Sequence, residues 1–254
     1  METVILQAGV DAAQANTDAL VAAIKLRRGV RLPWGRYYIN PIGKAQLGID
    51  DTRGWNMVGD GISGTELRLP PVDGHTEPMF DLDGLSFFDV TWTGFRLHGW
   101  KTSAPVVRLN SGGRHYRVSF RDVWIHSGRV CLSITQTQRI ILDGVTLTKG
   151  AERGLELRGP LGVFASGLDI EQCNTGVFID DGGMHFRRHP AVSIEQFYVE
   201  RNRLDAHLSG VHGCKISCSA YKAKVRFSRG SKHNMIFSTD VRIIGDQGPN
   251  HVIG

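Results

Sequence analysis

Ile140-Ile-Leu-Asp-Gly-Val-Thr-Leu147 and Val163-Phe-Ala-Ser-Gly-Leu-Asp-Ile170 share one pattern, apolar-x-apolar-x-x-apolar-x-apolar. Each half alternates with a period of two residues, as a strand with one buried face must. The two residues between the halves, Asp143-Gly144 and Ser166-Gly167, read as a corner. The pattern recurs at Val90-Thr-Trp-Thr-Gly-Phe-Arg-Leu97, Val118-Ser-Phe-Arg-Asp-Val-Trp-Ile125 and Val192-Ser-Ile-Glu-Gln-Phe-Tyr-Val199, with weaker copies beginning at Cys214 and Ile236. Successive copies start 28, 22, 23, 29, 22 and 22 residues apart. A fixed period in this range is the mark of a solenoid.

A third alternating pair follows each copy: Val107/Leu109, Leu132/Ile134, Leu155/Leu157, Val177/Ile179 and Ala206/Leu208. Each coil therefore holds three short strands, A, B and C. Gly128, Gly150, Asn174 and Asn202 mark the B-to-C turn, where residues tolerant of positive φ are expected. One coil cannot bury its apolar side chains alone. Stacked coils pair strand on strand at about 4.8 Å, so that inward residues form continuous ladders. Phe95, Phe120 and Phe197 fall on inward positions and are expected in the core. The expected fold is all-β, a single-stranded parallel β-helix of three strands per coil. The two longer spacings predict insertions at about residues 100–105 and 180–190.

The open N-terminal end of such a stack needs a cap. A helix near residues 16–26, N-capped by Asn16 or Thr17, would present Leu20, Ala23 and Ile24 on one face. One strand is expected over residues 29–39, with Trp34, Tyr37 and Tyr38 sealing the first coil. The domain reading is a cap over residues 1–46 and coils over 47–254, in one structural domain.

Thr17-Asp-Ala-Leu-Val-Ala-Ala-Ile24, followed by Val30-Arg-Leu-Pro-Trp-Gly-Arg-Tyr-Tyr-Ile39, resembles the opening of the pectate-lyase-like β-helix superfamily. Trp55-Asn-Met-Val-Gly-Asp-Gly-Ile-Ser-Gly-Thr-Glu-Leu-Arg-Leu69 is similar to that superfamily's next coil. The resemblance implies a right-handed parallel β-helix. It also implies one of several roles: polysaccharide lyase, hydrolase, epimerase, or trimeric phage tailspike. Met1-Glu-Thr-Val4 does not read as a signal peptide. That and the short chain look most like the phage branch. The chain has little room for a particle-binding or trimerisation domain, so a module of a larger assembly is expected.

Composition narrows the classes. The net charge is +5, with basic residues scattered along the chain, which mildly favours anionic partners and does not sketch a nucleic-acid footprint. No apolar run approaches the length of a membrane span. Cys131, Cys173, Cys214 and Cys218 form no CxxC pair and read as free, mostly buried thiols. The ten histidines show no HxH or HExxH arrangement, so neither metal nor other cofactor is expected. Gly59-Asp-Gly-Ile-Ser-Gly64 satisfies the dinucleotide fingerprint, but a strand follows where a helix would be needed.

The outward positions of strand B carry the candidate chemistry. Arg96, Trp124, Thr146, Asp169, Tyr198, Ala220 and Arg242 form one row; His98, His126, Thr148, Glu171, Glu200 and Lys222 follow beside it. Asp169/Glu171 should lie beside Tyr198/Glu200, with Trp124 and His126 two coils away. Aromatic rings beside carboxylates suit sugars. Trp124, His126, Tyr198, Glu195 and the loop cations Arg187 and Arg188 are the expected carbohydrate contacts. A glycosidase would use Glu171, Glu200 and Asp169, since neighbouring coils bring carboxylates into the range of either hydrolytic mechanism. A solvated face satisfies the same geometry. Two functions follow. One is a structural, receptor-binding spike or fibre module of a phage-like particle, homotrimeric, contacting bacterial surface polysaccharide and other particle proteins. The other is a hydrolase or lyase acting on such glycans.

Overall fold

The inward positions of the repeat stack coil upon coil. In sheet A, Met57 pairs with Trp92, then Phe120, Leu142, Ala165, Ile194, Ile216 and Ile236 follow in register. Sheet B runs Tyr37, Leu67, Leu97, Ile125, Leu147, Ile170, Val199. Sheet C runs Phe80, Val107, Leu132, Leu155, Val177, Ala206, Val225. These pairings are parallel, and all these side chains are buried. The computed structural model describes residues 2–27, 29–53, 55–110, 116–182, 192–218, 223–238, 240–245 and 249–253. It is a parallel β-helix with three strands per coil, as the repeat predicts.

Aromatic rings cluster around Trp92. Trp92 lies 5.0 Å from Phe80, 5.3 Å from Trp55 and 5.3 Å from Phe120, each edge to face. Such pairs add about 0.5–1.5 kcal/mol beyond the area they bury. Phe95, Phe120 and Phe197 are all buried, as expected. All four cysteines are free and buried. Among the described residues, no helix is long and apolar enough to cross a membrane.

The corners follow the pattern. Asp122, Gly144, Gly167 and Gln196 occupy equivalent places with φ of 48°, 60°, 61° and 53°. The B-to-C turn corrects the sequence reading. Positive φ falls earlier, on Ser127, Lys149, Gln172 and Arg201. Gly128 and Gly150 are small for want of space instead: a Cβ on Gly128 would stand 2.5 Å from Val106 Cγ2, and one on Gly150 would overlap the Arg153 carbonyl. Asn202 stitches coils together. Its buried amide accepts from Cys173 N–H at 2.8 Å and donates to the Ile170 carbonyl at 2.9 Å. Asn234 repeats the device on Cys214 N–H and the Val211 carbonyl.

The ends depart furthest from expectation. The helix is Ala13–Lys25, extended by a 3-10 turn at Val10–Ala12. Asn16 and Thr17 thus lie inside it and are not its cap. Asn16 reaches out to both backbone groups of Gln7 and to the Tyr38 carbonyl, and Thr17 accepts from Asn40 N–H. They tie helix to coil, while Leu20, Ala23 and Ile24 are buried as expected. The expected strand over 29–39 is two strands, Val30–Arg31 in sheet A and Gly35–Tyr38 in sheet B, separated by the corner at Pro33-Trp34. Tyr37 is buried, but Trp34 is 68% exposed and does not seal the coil. At the other end, Ile236 pairs with Ile216, so the final copy begins two residues earlier than its apolar pattern suggests. Val241–Ile244 pairs with the sheet C strand Ala223–Ser228, and Arg242 therefore leaves the B row.

Candidate functional site on the outward face of sheet B

Alternation along strand B turns every second side chain outward, and parallel stacking lines those side chains up. One row is Glu66, Arg96, Trp124, Thr146, Asp169 and Tyr198; the adjacent row is Arg68, His98, His126, Thr148, Glu171 and Glu200. Five strand spacings separate Glu66 from Tyr198, roughly 24 Å at about 4.8 Å each. The register places Asp169 beside Tyr198 and Glu171 beside Glu200, with Trp124 and His126 two coils away, as the repeat spacing implies. Ala220, Lys222, Arg187 and Arg188, together with most of the expected 180–190 insertion, lie outside the described residues.

The C-terminal half of the strip is acidic. Asp169 has its pKa raised to about 6, first by burial and then by the nearby Glu171 and Glu200 carboxylates. Among the described residues its Oδ1 is shielded from solvent and has no hydrogen-bond partner. The Tyr198 hydroxyl donates to Glu200 Oε2 at 3.0 Å, and Arg201 Nε lies 3.0 Å from Glu200 Oε1. A carboxyl that keeps its proton towards neutrality beside two other carboxylates is the arrangement acid–base chemistry needs. Glu195 does not join this group. It sits in register with Ser166 at the end of an A strand and pairs with Lys215 at 3.1 Å.

The middle is aromatic. The Trp124 indole donates to Thr148 Oγ1 at 2.9 Å, and the Arg96 guanidinium lies 3.9 Å from its ring centroid. One face of Trp124 is therefore taken by a cation, while Tyr198 is 43% exposed.

The N-terminal half contains what the sequence reading missed. Glu66 and Arg68 extend the two rows by one coil. The alternation in Thr65-Glu-Leu-Arg-Leu69 carries that signal, since Leu67 is inward. Glu66 is 4% exposed. Its Oε2 accepts from Arg68 at 2.9 Å and lies 3.5 Å from Arg36 Nε. Its Oε1 lies 2.8 Å from Arg68 Nε, 3.7 Å from His98 Nδ1 and 3.8 Å from His126 Nε2. Burial alone would raise the Glu66 pKa, but His126, His98 and Arg68 outweigh it and hold the carboxyl well below its ordinary range. The two imidazoles stack with centroids 4.2 Å apart. Glu66 and Arg96 also line a cleft of about 200 Å³ with Trp34, Arg36 and Gly64. The spacing of histidines along the chain predicts no metal site, yet Glu66, His98 and His126 bring one ligand atom each within 4.8 Å of one another.

No protein-family model matches the chain, and a search of curated proteins finds no relative. Among solved structures it is similar to ORF18 of Geobacillus virus E2, with 16% identity and a TM-score of 0.47 over 93% of this chain and 57% of that one. The chain thus spans just over half of the viral protein's length. It is also similar to the A-modules of two Azotobacter vinelandii mannuronan C-5 epimerases. AlgE6 has 14% identity and a TM-score of 0.36 over 98% of this chain and 94% of that one. AlgE4 has 14% identity and a TM-score of 0.35 over 98% of this chain and 96% of that one. Identities this low carry no assignment of activity to this chain.

Proposed function

We propose that the protein binds an extended bacterial surface polysaccharide along the outward face of sheet B, as a spike or fibre module of a phage-like particle. The observation that carries the glycan part is the continuous double row from Glu66/Arg68 to Tyr198/Glu200, with aromatic rings set among charged groups. A linear polymer needs a linear, rigid surface, and strands paired at both edges supply one. The rod-like stack suits a spike or fibre component, which in this reading is a homotrimer joined to other particle proteins. Tyr198→Ala and Trp124→Ala should each weaken binding of purified capsule or lipopolysaccharide glycan about 3- to 10-fold, the equivalent of ~0.5–1.5 kcal/mol of ring contact. Phe164→Ala, in an exposed apolar depression on sheet A, serves as the control. If only the control variant lost affinity, the B-face reading would be wrong. Light scattering on the purified protein tests the trimer.

One observation favours cleavage as a second reading: the raised pKa of Asp169 beside Glu171 and Glu200. In that reading the protein would release new reducing ends, or unsaturated uronate absorbing in the ultraviolet. Cleavage unchanged in both Glu171→Gln and Glu200→Gln would remove these residues from the assignment.

A further inference from the structure

We propose that Glu66, His98 and His126 form a binding site for a divalent transition metal of the zinc type. The three side chains come from three successive coils, and the parallel register converges them. His98 and His126 are direct neighbours in one row, and Glu66 stands one coil earlier in the adjacent row. Glu66 Oε1 lies 3.7 Å from His98 Nδ1 and 3.8 Å from His126 Nε2. Both distances are too long for hydrogen bonds. They are close to what a shared ion requires. Ligand atoms about 2.1 Å from a tetrahedral zinc stand roughly 3.4 Å from each other, so the two carboxylate–imidazole gaps must close by only a few tenths of an ångström, and the gap between the two histidine ligand atoms, which is within 4.8 Å, by at most about 1.4 Å.

The unsatisfied state of these atoms points the same way. Among the described residues, Glu66 Oε1, His98 Nδ1 and His126 Nε2 are all shielded from solvent and without a hydrogen-bond partner. Arg68 Nε is near Oε1 but also makes no hydrogen bond; Arg68 satisfies Oε2 through its terminal nitrogen. His126 Nδ1 lies 3.2 Å from Ser127 Oγ. If Nδ1 carries the proton in that contact, the Nε2 lone pair faces the carboxylate. Two acceptors then confront each other, an arrangement that a cation between them relieves. A hydrogen bond on the far ring nitrogen is also how metal-binding histidines are usually oriented.

Ligand type selects the ion. Two imidazoles and one carboxylate suit zinc, cobalt or nickel and do not suit calcium or magnesium, which prefer all-oxygen shells. Three protein ligands leave a coordination position for water or an anionic group. Arg68, whose Nε stands 2.8 Å from Glu66 Oε1, and Arg36 and Arg96 beside the cleft weaken the affinity for a cation but favour an anion in that position. The proposal stands apart from the glycan reading, because its test involves no glycan.

The test is titration of the metal-stripped protein, residues 1–254, with ZnCl₂ by calorimetry and with CoCl₂ by visible absorption. One ion per chain is expected, with cobalt d–d bands of nitrogen/oxygen ligation and a rise in melting temperature on zinc addition. His98→Ala and His126→Ala should each weaken binding at least tenfold and remove the cobalt bands. Because Glu66→Gln could unfold the chain, the histidine variants, checked for native circular dichroism, decide the matter. Absence of stoichiometric binding at micromolar protein would overturn the proposal. So would binding that survives in both histidine variants, or cobalt spectra with thiolate charge transfer, which would place the ion on the cysteines.

Discussion

Replacing Asp169 by Asn should stabilise the protein at neutral pH and leave it unchanged in acid. The Asp169 pKa rises from 3.8 to about 6 because burial and two neighbouring carboxylates disfavour the charged form. That rise corresponds to about 3 kcal/mol between the two protonation states. The side chain is partly open to water, so screening reduces the figure to about half, ~1.5 kcal/mol. The sign follows from proton binding: between pH 4 and 6 the folded chain holds a proton that the unfolded chain has released, so stability falls as pH rises through that window. Asn mimics the protonated acid and removes the penalty. At pH 3.5 both states of the wild type carry mostly the neutral acid, and wild type and variant should melt within about 1 °C of each other. Above pH 6.5 the variant should melt about 3–6 °C higher, given about 2–4 °C per kcal/mol for a chain of this size. Paired thermal melts by circular dichroism at pH 3.5, 5 and 7.5 measure the offset. An offset that is constant with pH, or a variant less stable at pH 7.5, would refute a disfavoured carboxylate at this position.

Three further outcomes test the packing. Trp92→Ala, at the centre of the aromatic cluster, should cost about 3–5 kcal/mol, read as a drop in urea midpoint. Gly59→Ala should cost about 1–3 kcal/mol, because its Cβ would stand 2.5 Å from the Gly94 carbonyl oxygen and 2.8 Å from Phe95 Cβ; an unchanged midpoint would mean the corner yields freely. Asn202→Ala strands the buried Cys173 N–H and Ile170 carbonyl and should cost about 1–3 kcal/mol, with faster amide exchange at Cys173 as the local signature.

The repeat was legible because burial imposes it locally. Each strand must alternate and each coil must turn at the same places, so Val163, Ala165, Leu168 and Ile170 announce their own inward positions without reference to partners. Register follows from aligning the copies themselves, because an insertion that falls outside the A–B pattern leaves the positions within it unchanged. This is why Asp169 beside Tyr198 and Glu171 beside Glu200 could be read directly from the chain. The pattern loses its register where the period breaks. Ile236 looked like the start of a copy because apolar alternation has no marker for a shift of two residues, and only pairing with Ile216 resolves it. Asn16 and Thr17 looked like helix caps because their chemistry suits that role; in the fold the same groups satisfy backbone atoms of Gln7, Tyr38 and Asn40.

The chain's own pattern therefore determined the parallel β-helix, its three faces and the identity of most outward residues. Tertiary structure alone decided the charge states and the convergence of side chains on those faces. Glu66, His98 and His126 are 32 and 28 residues apart in sequence, beyond any local spacing rule, and meet only because stacking places successive coils about 4.8 Å apart. Likewise the raised pKa of Asp169 depends on how far water is excluded and on Glu200 one coil further on, neither of which is a property of its neighbours in the chain.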